Sequence, residues 1–304
     1  MPPDDANAYA DGTFWDGGST MRPQPGLMLV MTVFLGIAGA AFAAAQSTPQ
    51  PSPADLIKAV IHNELSTSTP EARWKYLLDK EVDGKQETRE VIETKSGSLD
   101  RLISSAGKPL NDAQQHEELQ RILQVSHSRD QQRKLEESRR KDAQQCDAFL
   151  KMIPDAFVFQ YSGERSGEGD HLIKLTFRPN PAFQAPSREA KVLREMAGEI
   201  WVDARQQRLV SIRGQLLNEV RFAGGLLGHL EKGGTFRVKR GEIAPGQWET
   251  TEMEVNMQGK ALLFKTISVR QKELHRNFSR VSGDLTIADA AALLMKESLV
   301  AAKR

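Results

Sequence analysis

The sequence predicts an α+β protein: a curled antiparallel β-sheet, open or half-barrel in shape, with a long polar helix packed on it. Three observations lead there. Residues 73–106 and 156–280 are cut by turn signals into short runs of alternating apolar and polar residues. Residues 112–152, between these blocks, are overwhelmingly glutamine, glutamate, arginine, lysine and alanine, all good helix formers. The turns joining the short strands are themselves short, which is the mark of an antiparallel sheet that curls.

The elements follow in order. Pro53-Ala54-Asp55 opens a short helix reaching about Asn63, with Leu56, Ile57, Val60 and Ile61 at helical spacing. Trp74, Tyr76, Leu78, Lys80 and Val82 alternate onto one strand face, and Asp83-Gly84 is a hairpin signal. Return strands cover residues 87–94 and 99–104. Asn111, with Gln114 three residues on, caps the helical stretch. Its apolar residues are too sparse for a coiled coil. It therefore reads as a long solvated helix or helix pair lying on the sheet.

Strand period resumes at Phe157, Phe159 and Tyr161, then at Ile173, Leu175 and Phe177, with a turn at residues 163–169. Residues 187–196 read as a helical turn. Further strands are expected at 199–203, 208–214, 216–222, 235–240, 248–257 and 261–269, with Gln258-Gly259 as one of the turns. An amphipathic helix over 286–302 ends the chain. Three strands make a poor core alone, so both blocks are expected in one sheet. The expected organisation is an N-terminal extension and signal peptide (1–45), a linker and short helix (46–70), a β-rich domain with a helical insert at 112–152 (71–280), and a C-terminal helix (281–304).

Residues 27–45 carry no charge, follow Arg22, and end in alanines at the spacing a signal peptidase reads, Ala41-Phe42-Ala43 and Ala43-Ala44-Ala45. This order predicts export to the periplasm with cleavage near Ala43–Ala45. The rival is an uncleaved inner-membrane anchor, since the run just reaches spanning length. Residues 1–20 are acidic and serve no such purpose, which points to Met21 as the start. No cysteine ends the segment, so no lipidation is expected there.

Composition excludes several classes. Lysine plus arginine total 41 and aspartate plus glutamate 40, with no clustered basic face, so no nucleic-acid partner is expected. The single cysteine, Cys146, rules out an internal disulfide. None of the six histidines pairs with another at metal-ligand spacing, and no nucleotide loop or G-x-S-x-G elbow is present. Glycines at 224, 225, 228, 233 and 234 read as tight bends or close backbone approaches. Glu242, Glu249, Glu252 and Glu254 cluster around one hairpin but do not define a carboxylate pair for glycoside hydrolysis. No cofactor, metal or catalytic residue is expected. A hydrolase would have to work without a recognisable motif.

What remains is apolar surface on consecutive strands. It packs as plain core or lines a concave pocket for an acyl chain, with Trp201, Phe236, Trp248, Met253 and Phe264 as the candidate lining residues. Methionine would suit an adaptable wall.

Residues 198–278 resemble the LolA/LolB-like lipoprotein-sorting families of Gram-negative bacteria. The resemblance rests on Gly198-Glu199-Ile200-Trp201-Val202-Asp203, Arg208-Leu209-Val210-Ser211-Ile212 and Gly259-Lys260-Ala261-Leu262-Leu263-Phe264. It implies an unclosed barrel with helices over its concave face, binding lipid or lipoprotein acyl chains and touching membranes only transiently. The long polar insert departs from that pattern, and no family functional residue maps onto this chain. The leading expectation is a non-enzymatic periplasmic carrier of acyl chains. The alternative is an envelope interaction protein that meets a protein partner through residues 112–152.

Overall fold

In the computed structural model the described residues are 51–66, 72–166, 171–187, 189–222, 228–261 and 265–301. The export segment and Phe264 lie outside them. In chain order the elements are α1 (Pro53–Ser66), β1 (Arg73–Val82), β2 (Lys85–Thr94), β3 (Gly97–Ser105), β4 (Lys108–Pro109), α2 (Asp112–His127), α3 (Arg129–Ala156), β5 (Phe157–Ser166) and β6 (His171–Pro179). A 3₁₀ turn (Glu189–Glu195) leads to β7 (Met196–Asp203), β8 (Arg208–Leu216), β9 (Val220–Phe222) and β10 (Gly228–Leu230). The chain finishes with β11 (Thr235–Ala244), β12 (Gln247–Ala261), β13 (Lys265–Val281) and α4 (Ile287–Ala301).

All thirteen described strands belong to one unclosed sheet, ordered β4-β3-β2-β1-β13-β12-β11-β8-β7-β6-β5, with β10 also pairing β12 and β9 pairing β10. Every described pairing is antiparallel. The two strand blocks meet where β1 pairs with β13. The β1–β2 turn is the two-residue hairpin expected at Asp83-Gly84. Both residues have positive φ, 49° and 81°, which suits the right-handed twist of the flanking strands.

The helical stretch takes the helix-pair form of the two expected, and three sequence boundaries are corrected. Ser128 ends α2 by donating its N–H to the Gln124 carbonyl, and its hydroxyl then accepts from the Gln131 N–H to start α3. α3 also runs past residue 152 to Ala156, with Pro154 in its last turns. Gln258-Gly259 is no turn: β12 continues through it to Ala261. Gly259 is required there by a neighbour, since a Cβ would sit 2.1 Å from the His229 carbonyl oxygen of β10. Finally, residues 216–222 are not one strand. β8 ends at Leu216 and β9 begins at Val220.

The helices take different faces. α1 and the end of α3 cover the inner face over β5–β8. Leu56, Ile57, Val60 and Ile61 join Leu150 and Ile153 in a buried cluster with Leu175, Ile200, Ile212, Val238, Met253 and Val255. α2 and α4 pack on the outer face of β2 and β3, burying Ile92, Leu99, Ile122, Ile287 and Leu294. α3 links the two ends. Its Arg139 donates to the Lys95 carbonyl at the β2–β3 turn, and Ile153 lies in the inner cluster. The Asn111–Gln114 capping box forms as expected, with bonds of 2.9 and 3.0 Å.

Candidate functional site

The candidate site is the inner face of the sheet, and its character follows from strand register. One row across the strands reads Leu175, Ile200, Ile212, Val238 and Met253, all buried. The same row continues into Glu273 of β13 and Lys80 of β1. Along this row the face is thus aliphatic from β6 to β12 and charged beyond it, while Trp74, Tyr76, Leu78 and Val91 form a separate buried apolar cluster on β1 and β2. In the next row Phe177, Gly198, Gly214, Phe236 and Val255 follow one another. The two glycines leave space that the flanking rings fill. A Cβ would lie 2.8 Å from the Phe177 ring at Gly198 and 2.6 Å from the Phe236 ring at Gly214.

α1 lies over this apolar floor. Leu56, Val60 and Glu64 recur at four-residue spacing and share one helix face. The carboxylate therefore arrives on the buried side. Glu64 is paired with Arg208 at 3.1 Å and with Arg240, and its side chain is only 9% exposed. Arg240 also donates to the Trp248 carbonyl. Trp248 is buried, and its indole N–H donates to Gln206 at 2.9 Å. An open cleft of about 380 Å³ borders this end of α1, lined by Asn63, Ser66, Gln206, Arg208, Gly246 and Trp248.

A second polar group follows on the charged half. Lys80 and Glu273 form an ion pair of 2.8 Å with both side chains almost fully buried. Burial pushes the Glu273 carboxyl up, but the His275 hydrogen bond and the Lys80 charge outweigh it and hold the group at about 2. The His275 ring stacks on buried Tyr76 at 5.1 Å. Glu93 accepts from the Trp74 N–H at 3.0 Å. Desolvation, with the nearby charge of Glu249, pushes its carboxyl up to about 7. Glu249 is itself raised by desolvation against the pull of Arg240, His275 and Arg208.

The predicted lining residues separate. Met253 is core beneath α1, and Phe236 packs against the same cluster. Trp248 stands at the cleft. Trp201 lies on the opposite face from Ile200, with Arg165 and Lys174 over its ring at 5.7 and 5.8 Å. The structure brings Phe236 and Met253 together and leaves Trp201 on the outer side of the sheet.

Sequence reasoning missed Glu64, Arg208, Arg240, Glu273 and the role of Lys80. Two signals were legible. Glu64 continues the Leu56–Val60 face of a helix, and Lys80 continues the Trp74–Tyr76–Leu78 alternation of a strand. A charge on an apolar period marks a buried ion pair. Among the described residues no group of three or more histidine, cysteine, aspartate or glutamate side chains could hold a metal.

No protein-family model matches the chain. No curated protein matches it either. Two solved structures align with it. One is described as a "putative outer membrane lipoprotein-sorting protein domain" from Vibrio parahaemolyticus, at 9% identity and TM-score 0.32, over 77% of this chain and 95% of that one. The other is a DUF1329 family protein from Desulfovibrio piger, at 12% identity and TM-score 0.26, over 76% of this chain and 93% of that one. No described helix is long and apolar enough to cross a membrane.

Proposed function

We propose that this chain is an exported, non-enzymatic carrier that binds an acyl chain of a lipid or lipoprotein on the inner face of its open sheet. The observation that carries the reading is α1. It is a separate amphipathic helix seated on a continuous aliphatic floor, Ile200, Ile212, Val238 and Met253, and it is the kind of cover an acyl chain could replace.

The magnitudes permit the exchange. Burying the four large side chains of α1 is worth roughly 6–12 kcal/mol at about 1.5–3 kcal/mol each. A sixteen-carbon chain brings roughly 12 kcal/mol at about 0.8 kcal/mol per CH₂. Helix and ligand are therefore near balance, as loading and unloading require. In this reading Phe236 and Met253 line the groove and Trp248 borders its polar end. Trp201 has no part in it. The charge-free segment at 27–45 supports a periplasmic location.

The test is native mass spectrometry of residues 46–304 purified from the periplasm. A co-purifying mass of several hundred daltons, lost on organic extraction, is the expected result. A clean apoprotein that also fails to take up a fluorescent acyl probe would overturn the reading.

A further inference from the structure

Glu64 gives α1 the form of an anionic amphiphile. Leu56, Ile57, Val60 and Ile61 fill the aliphatic groove, and one helical turn on, the carboxylate sits on Arg208 and Arg240. Both arginines stand where the groove ends. Arg240 follows Val238 by two residues on β11, and Arg208 precedes Leu209 on β8. Floor and charge are thus continuous along the same strands.

We infer that the ligand of this groove is itself an anionic amphiphile, a single acyl chain whose carboxylate or phosphate head takes the place of Glu64 on Arg208 and Arg240. The inference rests on the acyl-chain reading above and names the class of head group. Its physical basis is charge. When α1 leaves the groove it removes the carboxylate paired with buried Arg208 and half-buried Arg240. An anionic head restores the direct pairing that Glu64 makes with both arginines, whereas a neutral head does not. Guanidinium forks also suit the oxygens of carboxylate and phosphate. A further donor is in place: the Arg240 Nε is buried without a hydrogen-bond partner among the described residues.

The test is displacement of a neutral fluorescent acyl probe from delipidated protein by four competitors: hexadecanoate, hexadecyl phosphate, the uncharged monoacylglycerol of the same chain length, and inorganic phosphate. The anionic chains are expected to bind about tenfold or more tighter than the neutral one. Arg240→Gln should bring that ratio close to one. Because a buried arginine variant can fail to fold, Glu64→Gln provides the opposite sign. Removing the internal competitor should tighten anionic binding by about tenfold, a gain that no folding defect produces. Equal binding of charged and neutral chains would overturn the head-group site and leave the acyl groove standing. Inorganic phosphate binding as tightly as hexadecyl phosphate would overturn it in favour of a free-anion site. Failure of every chain to displace the probe, with no uptake of the probe itself, would sink the acyl reading and this inference with it.

Discussion

The two halves of the inner face bury comparable side chains by opposite means. From β6 to β12 the floor is Leu175, Ile200, Ile212, Val238 and Met253, held by area removed from water. One strand further it is Glu273 and Lys80, held by a 2.8 Å ion pair with His275 and Tyr76 behind it. Aliphatic contact is non-directional, which suits the exchange of a helix for an acyl chain proposed above. A buried ion pair is directional and tolerates no exchange of one partner alone. The first half is thus suited to binding, and the second to fixing how β1 meets β13, where the two strand blocks join.

The largest effect should come from breaking the charged half. Lys80→Ala leaves Glu273 buried without its ammonium and should cost about 3–5 kcal/mol in urea unfolding. Lys80→Met with Glu273→Leu should lie within about 1 kcal/mol of the parent. A double variant as unstable as the single one would show that the pair stabilises by more than mutual compensation.

The aliphatic half should yield somewhat less. Ile200→Ala beneath α1 should cost about 3 kcal/mol through lost burial and the cavity left behind. A loss below about 1 kcal/mol would mean that α1 settles into the gap and the floor is softer than its burial implies.

The pH profile should separate the halves again. Glu273 is held below the ordinary carboxylate range, so its stabilisation is present above about pH 4 and is lost as pH falls toward 2. Glu93 has the opposite sign. Held near 7, it keeps its proton in the folded chain while the unfolded chain has lost it, so stability falls as pH rises from about 4.5 to 7. The urea midpoint should therefore peak near pH 4–5, and Glu93→Gln should flatten the neutral side while leaving the acid side in place. A midpoint that rises steadily to pH 7 would contradict the Glu93 assignment, and one that stays flat between pH 2 and 4 would contradict that of Glu273.

The smallest effect should lie outside both halves. Asn111→Ala removes the α2 capping box and should cost about 1 kcal/mol, read as the same urea midpoint shift at pH 5 and pH 8.

Much of the architecture was written locally. The β1–β2 hairpin at Asp83-Gly84, the capping box at Asn111, and the strand alternation through Trp74, Tyr76 and Leu78 depend on residues within a few positions of each other, and those signals hold. Where the sequence misled, a distant neighbour decided. Gly259 looks like a turn until β10 lies against it, because close approach and chain reversal both call for glycine. Composition over residues 112–152 left a single helix and a helix pair both open, and Ser128 settles it by ending one helix and capping the next.

The apolar character of the inner face was likewise determined by the sequence, since alternation assigns each side chain to one of two faces. Which face curls inward was not. Trp201 has the composition of a pocket residue, yet β7 places it on the face opposite Ile200, beneath two cations. The union of Glu64 with Arg208 and Arg240 joins side chains 144 and 176 positions apart. Such pairs are set by the curl of the sheet and the seating of α1. Local propensity acts over a turn or a strand, whereas the pairing of buried charges is decided only when distant strands and helices share one interior.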